Sequence, residues 1–123
     1  MPVRPTDPAA VRAAFDAVLP ELDGEREPAP GALRDAVRLS LAVLARTVPG
    51  KTVEVRVPPY GVVQCVAGPR HTRGNPPNVV ETDPLTWVRL ASGRLSWRDA
   101  VAAGAVSASG TRADLSAYLP LVR

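Results

Sequence analysis

The sequence is poor in the residues that form disulfides and metal sites. It contains one cysteine, Cys65, and one histidine, His71, in 123 residues. A single cysteine cannot form an internal disulfide, which favours a reducing compartment. One cysteine and one histidine, without a flanking pair of carboxylates, do not supply the three or four ligands of a typical metal site. We therefore expect no metal and no cofactor.

Stacking groups and long apolar runs are also scarce. Two tyrosines and one phenylalanine offer few surfaces on which nucleic-acid bases stack, so we expect no nucleic-acid partner despite a net charge of +3. No apolar run approaches the ~18 residues that a membrane span needs, which argues against integral membrane association. The first ten residues lack the apolar stretch of a secretory signal, which favours a cytoplasmic location.

What the chain does contain is typical of one globular domain. Hydrophobic residues make up 46% and charged residues 22% of the sequence, and the length is sufficient for one buried core. We predict a single domain over residues 1–123, with a helical N-terminal part over residues 8–48 and a sheet with further helices over residues 52–121.

The N-terminal part contains two predicted helices. Asp7-Pro8 is typical of a helix start, and this first helix is expected to end near Leu19-Pro20, before an exposed linker over residues 21–30. Residues 31–48 are predicted to form the second helix. Its apolar arc of roughly 200° is wider than the ~100° stripe that docks on one surface. This helix should therefore touch two things, such as a sheet and a second helix or a ligand.

Short alternating segments follow. Residues 52–57 and 62–67 predict a β-hairpin around the turn at 58–61, and residues 78–82 and 105–109 predict two more strands. Asp83-Pro84 and Ser96 are expected to start two helices, and Thr111 a last helix that carries Leu115, Tyr118 and Leu119.

The C-terminal half resembles domains of the sterol-carrier-protein type. A W-x-x-L-x-x-G pattern at Trp87, Leu90 and Gly93 is followed by glycines at 104 and 110 that flank a strand. With residues 53–64, 68–74 and 77–87, the chain resembles small bacterial sterol carrier family proteins more closely. It is also similar to the C-terminal domain of mycothiol-dependent maleylpyruvate isomerases.

This resemblance implies an α+β fold. The expected sheet has five strands, is mostly antiparallel, is covered on one face by helices, and encloses an apolar tunnel for fatty acyl or sterol-like ligands. One phenylalanine and one methionine, beside many alanines and valines, favour a small or filled cavity. The helical bundle that holds the metal in the mycothiol-dependent enzymes has no counterpart in this sequence.

Apolar side chains of the predicted helices are the candidate ligand-binding residues. Trp87 and Trp97 either line a pocket or form the bulky centre of the core, and the core is the favoured alternative. The full set is Val37, Leu41, Leu44, Trp87, Trp97, Val101, Tyr118 and Leu119.

A second candidate site is the loop over residues 68–77. Arg70, His71 and Arg73 either clamp an anionic group or pair with acidic residues and pin the loop to the sheet, and the structural alternative is favoured. A Cys65–His71 dyad is a further alternative, although an isolated strand cysteine is more often a core residue.

The leading functional hypothesis is non-catalytic binding of an apolar small molecule or lipid. The alternative is an interaction or accessory module for a partner protein, such as a mycothiol-dependent enzyme, or a homodimer. We expect the chain not to be an enzyme.

Overall fold

The computed structural model describes residues 6–68 and 78–122. Five α-helices and four strands lie in these ranges: α1 (Pro8–Asp16), α2 (Leu19–Asp23), α3 (Pro30–Thr47), β1 (Val53–Val57), β2 (Gly61–Cys65), β3 (Asn78–Thr82), α4 (Pro84–Ala91), α5 (Trp97–Ala102) and β4 (Val106–Ser109). A 3-10 turn at Ser116–Tyr118 follows. The α+β class is as expected.

The sheet differs from the expected five-stranded, mostly antiparallel arrangement. In the described ranges it has four strands in the order β2-β1-β3-β4, and it is mixed. The β1–β2 hairpin and the β3–β4 pair are antiparallel, whereas β1 and β3 are parallel. The chain crosses from β2 past β1 before it enters β3, and local alternation of side chains carries no information on such a crossover.

Helix starts follow the predicted capping chemistry. The Asp7 carboxylate accepts a hydrogen bond from the Ala9 amide at 2.8 Å, and that of Asp83 accepts one from the Thr86 amide at 2.9 Å. The Ser96 hydroxyl accepts a hydrogen bond from the Asp99 amide at 3.1 Å. These three predictions are confirmed, because each cap is decided within one turn of chain.

Two helix predictions were wrong, one about where the first helix ends and one about the last helix. Pro20 does not end the first helix but lies in the first turn of α2, where its missing amide hydrogen is tolerated. The last predicted helix is only the 3-10 turn, which ends where Leu119, directly before Pro120, is extended.

The core lies between one face of the sheet and the helices. Val53, Val55 and Val57 of β1 are buried, while the alternating residues Glu54 and Arg56 lie on the opposite face. At Gly61 the sheet approaches α3 so closely that an added Cβ atom would lie 2.9 Å from the Leu41 side chain. Helix α3 is therefore held directly against this face.

Candidate functional site

The wide apolar arc of α3 is covered by the chain itself. Helix α3 packs against β2 on one side and against α1 and α4 on others. The prediction that this helix touches two things, such as a sheet and a second helix, is confirmed, and a further helix of this chain makes a third contact. The arc therefore does not by itself require a ligand.

Four of the eight candidate ligand-binding side chains lie in the interior. Val37, Leu41, Leu44 and Trp87 are at most 1% exposed. The Trp87 indole nitrogen donates a hydrogen bond to the Ser40 hydroxyl at 2.9 Å, and that hydroxyl donates to the Ala36 carbonyl oxygen at 2.6 Å. Trp87 is thus a core residue whose polar atom is satisfied across the α3–α4 interface.

The other four lie at the periphery of the core. Trp97, Tyr118 and Leu119 are half-buried and pack against it, and Val101 is 43% exposed. Helix α5 supplies Trp97 and Val101, and the C-terminal segment supplies the other two. The candidate set is therefore divided between an interior group and a surface group.

The sequence analysis missed a seam between α1 and α3. Two grooves lie along it, with volumes of about 610 Å³ and about 410 Å³. The larger groove lies between α1 and α3. It is lined by Ala10, Ala13, Ala14, Ala17, Ala32, Asp35, Arg38 and Leu39. The smaller is lined by Thr6, Asp7, Pro8, Val43, Arg46 and Thr47.

A signal for this seam was present in the sequence. The alanines at 10, 13, 14 and 17 follow helical spacing and form one face of α1, beside the larger side chains that enter the core. Small side chains on this face leave the two grooves shallow and open to solvent.

The predicted anionic site lies outside the described residues, since Arg70, His71 and Arg73 belong to residues 69–77. Among the acidic residues of the sheet, Glu54 pairs with Arg56 on its own strand. On α3, the Arg38 guanidinium donates a hydrogen bond to the Tyr60 carbonyl oxygen at 3.0 Å.

Cys65 is a buried thiol at the end of β2. It has no exposed surface, and burial raises its pKa to about 11. Since the thiolate is the nucleophile, this environment suppresses thiol chemistry near neutral pH. Within residues 6–68 and 78–122, no three histidine, cysteine or acidic residues cluster as a metal site would require.

Alkylation of Cys65 is expected to be at least about 100-fold slower in the native protein than in urea-unfolded protein, because the thiol is both buried and protonated. Timed reaction with iodoacetamide, followed by mass spectrometry, measures the ratio. Equal rates would show that the thiol is accessible. The raised pKa also predicts a stability contribution that is present below about pH 9 and lost as the pH rises toward 11.

Comparison with known proteins connects this fold to a family. A family model described as "Bacterial SCP ortholog" matches residues 30–121, from the start of α3 to the C-terminal segment. No curated protein matches the chain. None of the helices in the described part of the chain combines the length and apolar character needed to cross a bilayer.

Proposed function

Because the chain belongs to the family of bacterial SCP orthologs, which are sterol carrier protein-like, we propose that it binds an apolar or lipid-like ligand without catalysing a reaction. The family match is the observation that carries this proposal, and it includes α3, the whole sheet, α4 and α5. Since function belongs to a site and not to a fold, the proposal also needs apolar surface that a ligand can reach.

Two features supply such surface. The larger groove between α1 and α3 is lined mainly by alkyl side chains, and its polar side chains are those of Asp35 and Arg38. On α5, Val101 is exposed and Trp97 is half-buried, so part of an aromatic side chain is accessible there. Both suit a hydrocarbon chain better than a polar substrate.

The candidate residues keep distinct roles in this proposal. Trp97, Val101, Tyr118 and Leu119 are accessible without rearrangement, whereas the interior four contact a ligand only if the helices separate. Arg70, His71 and Arg73 remain the proposed partners of an anionic head group, because guanidinium groups bind carboxylates and phosphates in a bidentate manner.

Fluorescent fatty-acid binding tests the proposal. We expect cis-parinaric acid to gain fluorescence on the protein, to be displaced by unlabelled palmitate, and to bind with a dissociation constant on the order of micromolar, about −8 kcal/mol. Native mass spectrometry should show a one-to-one complex. A signal that palmitate does not reverse, or no signal at micromolar protein, would reject carrier function.

The exposed valines provide a matched pair of variants. Val101→Glu is expected to weaken probe binding about tenfold if the α5 surface contacts the ligand, because a charge then faces the hydrocarbon chain. Val62→Glu is the control, since Val62 is 58% exposed on β2, on the sheet face away from α3. Equal losses in both variants would argue against a local role for α5.

The alternative function is an interaction module. A partner protein or a second copy of the chain could contact the exposed valines 62 and 101, although single exposed apolar residues are common on protein surfaces. Gel filtration with light scattering distinguishes the possibilities. A lipid-free dimer that Val101→Glu or Val62→Glu dissociates would favour the module.

A further inference from the structure

One end of the sheet is where the chain leaves β2 and returns to β3. Val53, the first residue of β1, pairs with Cys65 at the end of β2 and with Asn78 at the beginning of β3. Strand β4 runs antiparallel to β3 and ends beside the beginning of β3. The segment after β4, which contains Arg112, therefore starts at this same end of the sheet.

Arg112 lies beside both the point of departure and the point of return. Its backbone amide donates a hydrogen bond to the Asn78 side-chain oxygen at 2.9 Å, and the Asn78 side-chain nitrogen donates to the Thr52 carbonyl oxygen at 2.9 Å. An added Cβ atom at Gly68 would lie 3.0 Å from an Arg112 guanidinium nitrogen and would overlap the Thr52 hydroxyl. The Arg112 guanidinium therefore lies directly against Gly68, where the lack of a side chain makes room for it.

The backbone that carries Arg112 is firmly held. Ala113 and Leu115, which follow it, are buried, and so is Asn78, which accepts the hydrogen bond from its amide. Arg112 itself is exposed. A side chain on a fixed backbone loses less conformational freedom on binding than one on a segment that must first become ordered. Arg112 is thus an accessible guanidinium group in a defined place.

Arg112 has no acidic partner among the residues that the structure describes. No carboxylate there forms an ion pair with its guanidinium. Asp114, two residues further on, accepts a hydrogen bond from the Ser116 amide at 2.8 Å. Lys51, shortly before β1, is also exposed, and residues 69–77 contain two arginines and one histidine but no acidic residue. Guanidinium groups bind carboxylates and phosphates through two parallel hydrogen bonds.

From these observations we propose that Arg112 binds the oxyanion of a ligand's head group, a carboxylate or a phosphate, and that Lys51 adds positive charge beside it. This assignment rests on the proposed function and adds to it a binding residue and a preference for anionic ligands. The same segment leads to Tyr118 and Leu119, and residues 112 and 118 are at most about 22 Å apart along the chain. An extended palmitate molecule has a similar length, so one ligand can contact both.

Displacement of a neutral probe separates the head group from the tail. Nile red bound to the full chain is displaced by palmitate, which carries a carboxylate, or by 1-hexadecanol, which has a tail of the same length and no charge. In Arg112→Gln we expect half displacement to need about three- to tenfold more palmitate and the same amount of hexadecanol, because only palmitate loses a charge-assisted contact. Arg112→Lys should restore part of the palmitate binding, since an ammonium group keeps the charge but not the two parallel hydrogen bonds.

Arg26→Gln is the matched control. It removes the same charge from an exposed arginine that already pairs with Glu21, so palmitate displacement should not change. Arg112→Gln should also unfold at the wild-type urea concentration, because the hydrogen bond to Asn78 comes from the backbone amide. Equal losses for palmitate and hexadecanol would mean that Arg112 acts on the structure and not on the head group. Equal losses of palmitate binding in Arg112→Gln and Arg26→Gln would mean a general effect of charge. Either result would overturn the assignment.

Inorganic phosphate distinguishes a head group from a free anion as the occupant. A head group whose tail is already bound has a high effective concentration at Arg112, so millimolar phosphate should not change palmitate displacement in the wild type. If phosphate removes the preference for palmitate in the wild type and has no effect on Arg112→Gln, the occupant is a free anion and the head-group assignment is wrong.

The outcomes also separate the two proposals. If palmitate and hexadecanol displace Nile red but palmitate displacement does not depend on Arg112, the proposed function stands and only the role of Arg112 fails. If neither compound displaces the probe from the wild-type protein, the proposed function fails and the role of Arg112 with it.

Discussion

Gly50→Ala is expected to destabilise the protein by about 3 kcal/mol or more. An added Cβ atom at this position would overlap the Val66 carbonyl group and would lie 2.5 Å from the Ala67 amide nitrogen. These are backbone atoms, which cannot rotate away as a side chain can. Gly50 also has a φ of 151°, which side-chain-bearing residues rarely adopt.

The surrounding hydrogen bonds prevent the loop from yielding. The Val66 amide donates to the Val48 carbonyl oxygen at 2.8 Å, and the Thr52 amide donates to the Val66 carbonyl oxygen at 3.1 Å. Val66 itself has a φ of 69°, an unusual conformation for a β-branched residue. Relief of the clash therefore requires breaking the connection between the end of α3, β1 and the end of β2.

Gly104→Ala is the matched control for this prediction. Gly104 also has a positive φ, 72°, but an added Cβ atom would meet no atom within 4 Å. We expect a loss of about 1–2 kcal/mol, from backbone conformation alone. Urea unfolding followed by circular dichroism measures both variants. Equal losses at the two positions would show that the contact with Val66 is not the cause.

Trp87→Ala is the second change with a large expected effect, about 3–5 kcal/mol. Trp87 has the largest fully buried side chain of the described core, and its removal leaves a cavity between α3 and α4. Because small domains are stable by only about 5–15 kcal/mol, this variant should unfold at much lower urea concentration. Trp97→Ala is the control, and its half-buried side chain should cost less than half as much.

A smaller change tests the hydrogen bond separately from the volume. Ser40→Ala leaves the buried Trp87 indole nitrogen without its partner and is expected to cost about 1–3 kcal/mol. In the Trp87→Phe background the same substitution should cost less, because no indole donor remains. A double-mutant cycle from urea unfolding gives the difference, and a coupling of zero would mean that the bond contributes nothing.

Local features of this protein were predictable and long-range ones were not. Asp7, Asp83 and Ser96 cap helices as expected, and β1 and β2 form the expected hairpin, because each depends on residues close in the chain. The parallel pairing of β1 with β3 depends on the course of residues between β2 and β3. A preference for an extended conformation does not say which neighbour a strand chooses.

The candidate site shows the same division. Trp87 and the large residues of α3 were recognised as one apolar set, and their burial agrees with that pattern. The pattern did not show whether the set faces a ligand or other parts of the chain. The alanines of α1 were not predicted to line a groove, although they line the larger one. A groove between two helices depends on how the helices are placed relative to each other, and the side-chain pattern of one helix does not show that.

By itself, then, the sequence determined where helices and strands begin, which of their faces are apolar, and which family the C-terminal part resembles. Those properties follow from the side-chain period of each element and from caps within one turn. Only the tertiary structure decided the strand order, the covering of α3 by α1 and α4, and the surface grooves beside the contact between α1 and α3. Each of these depends on how the shapes of distant segments fit together.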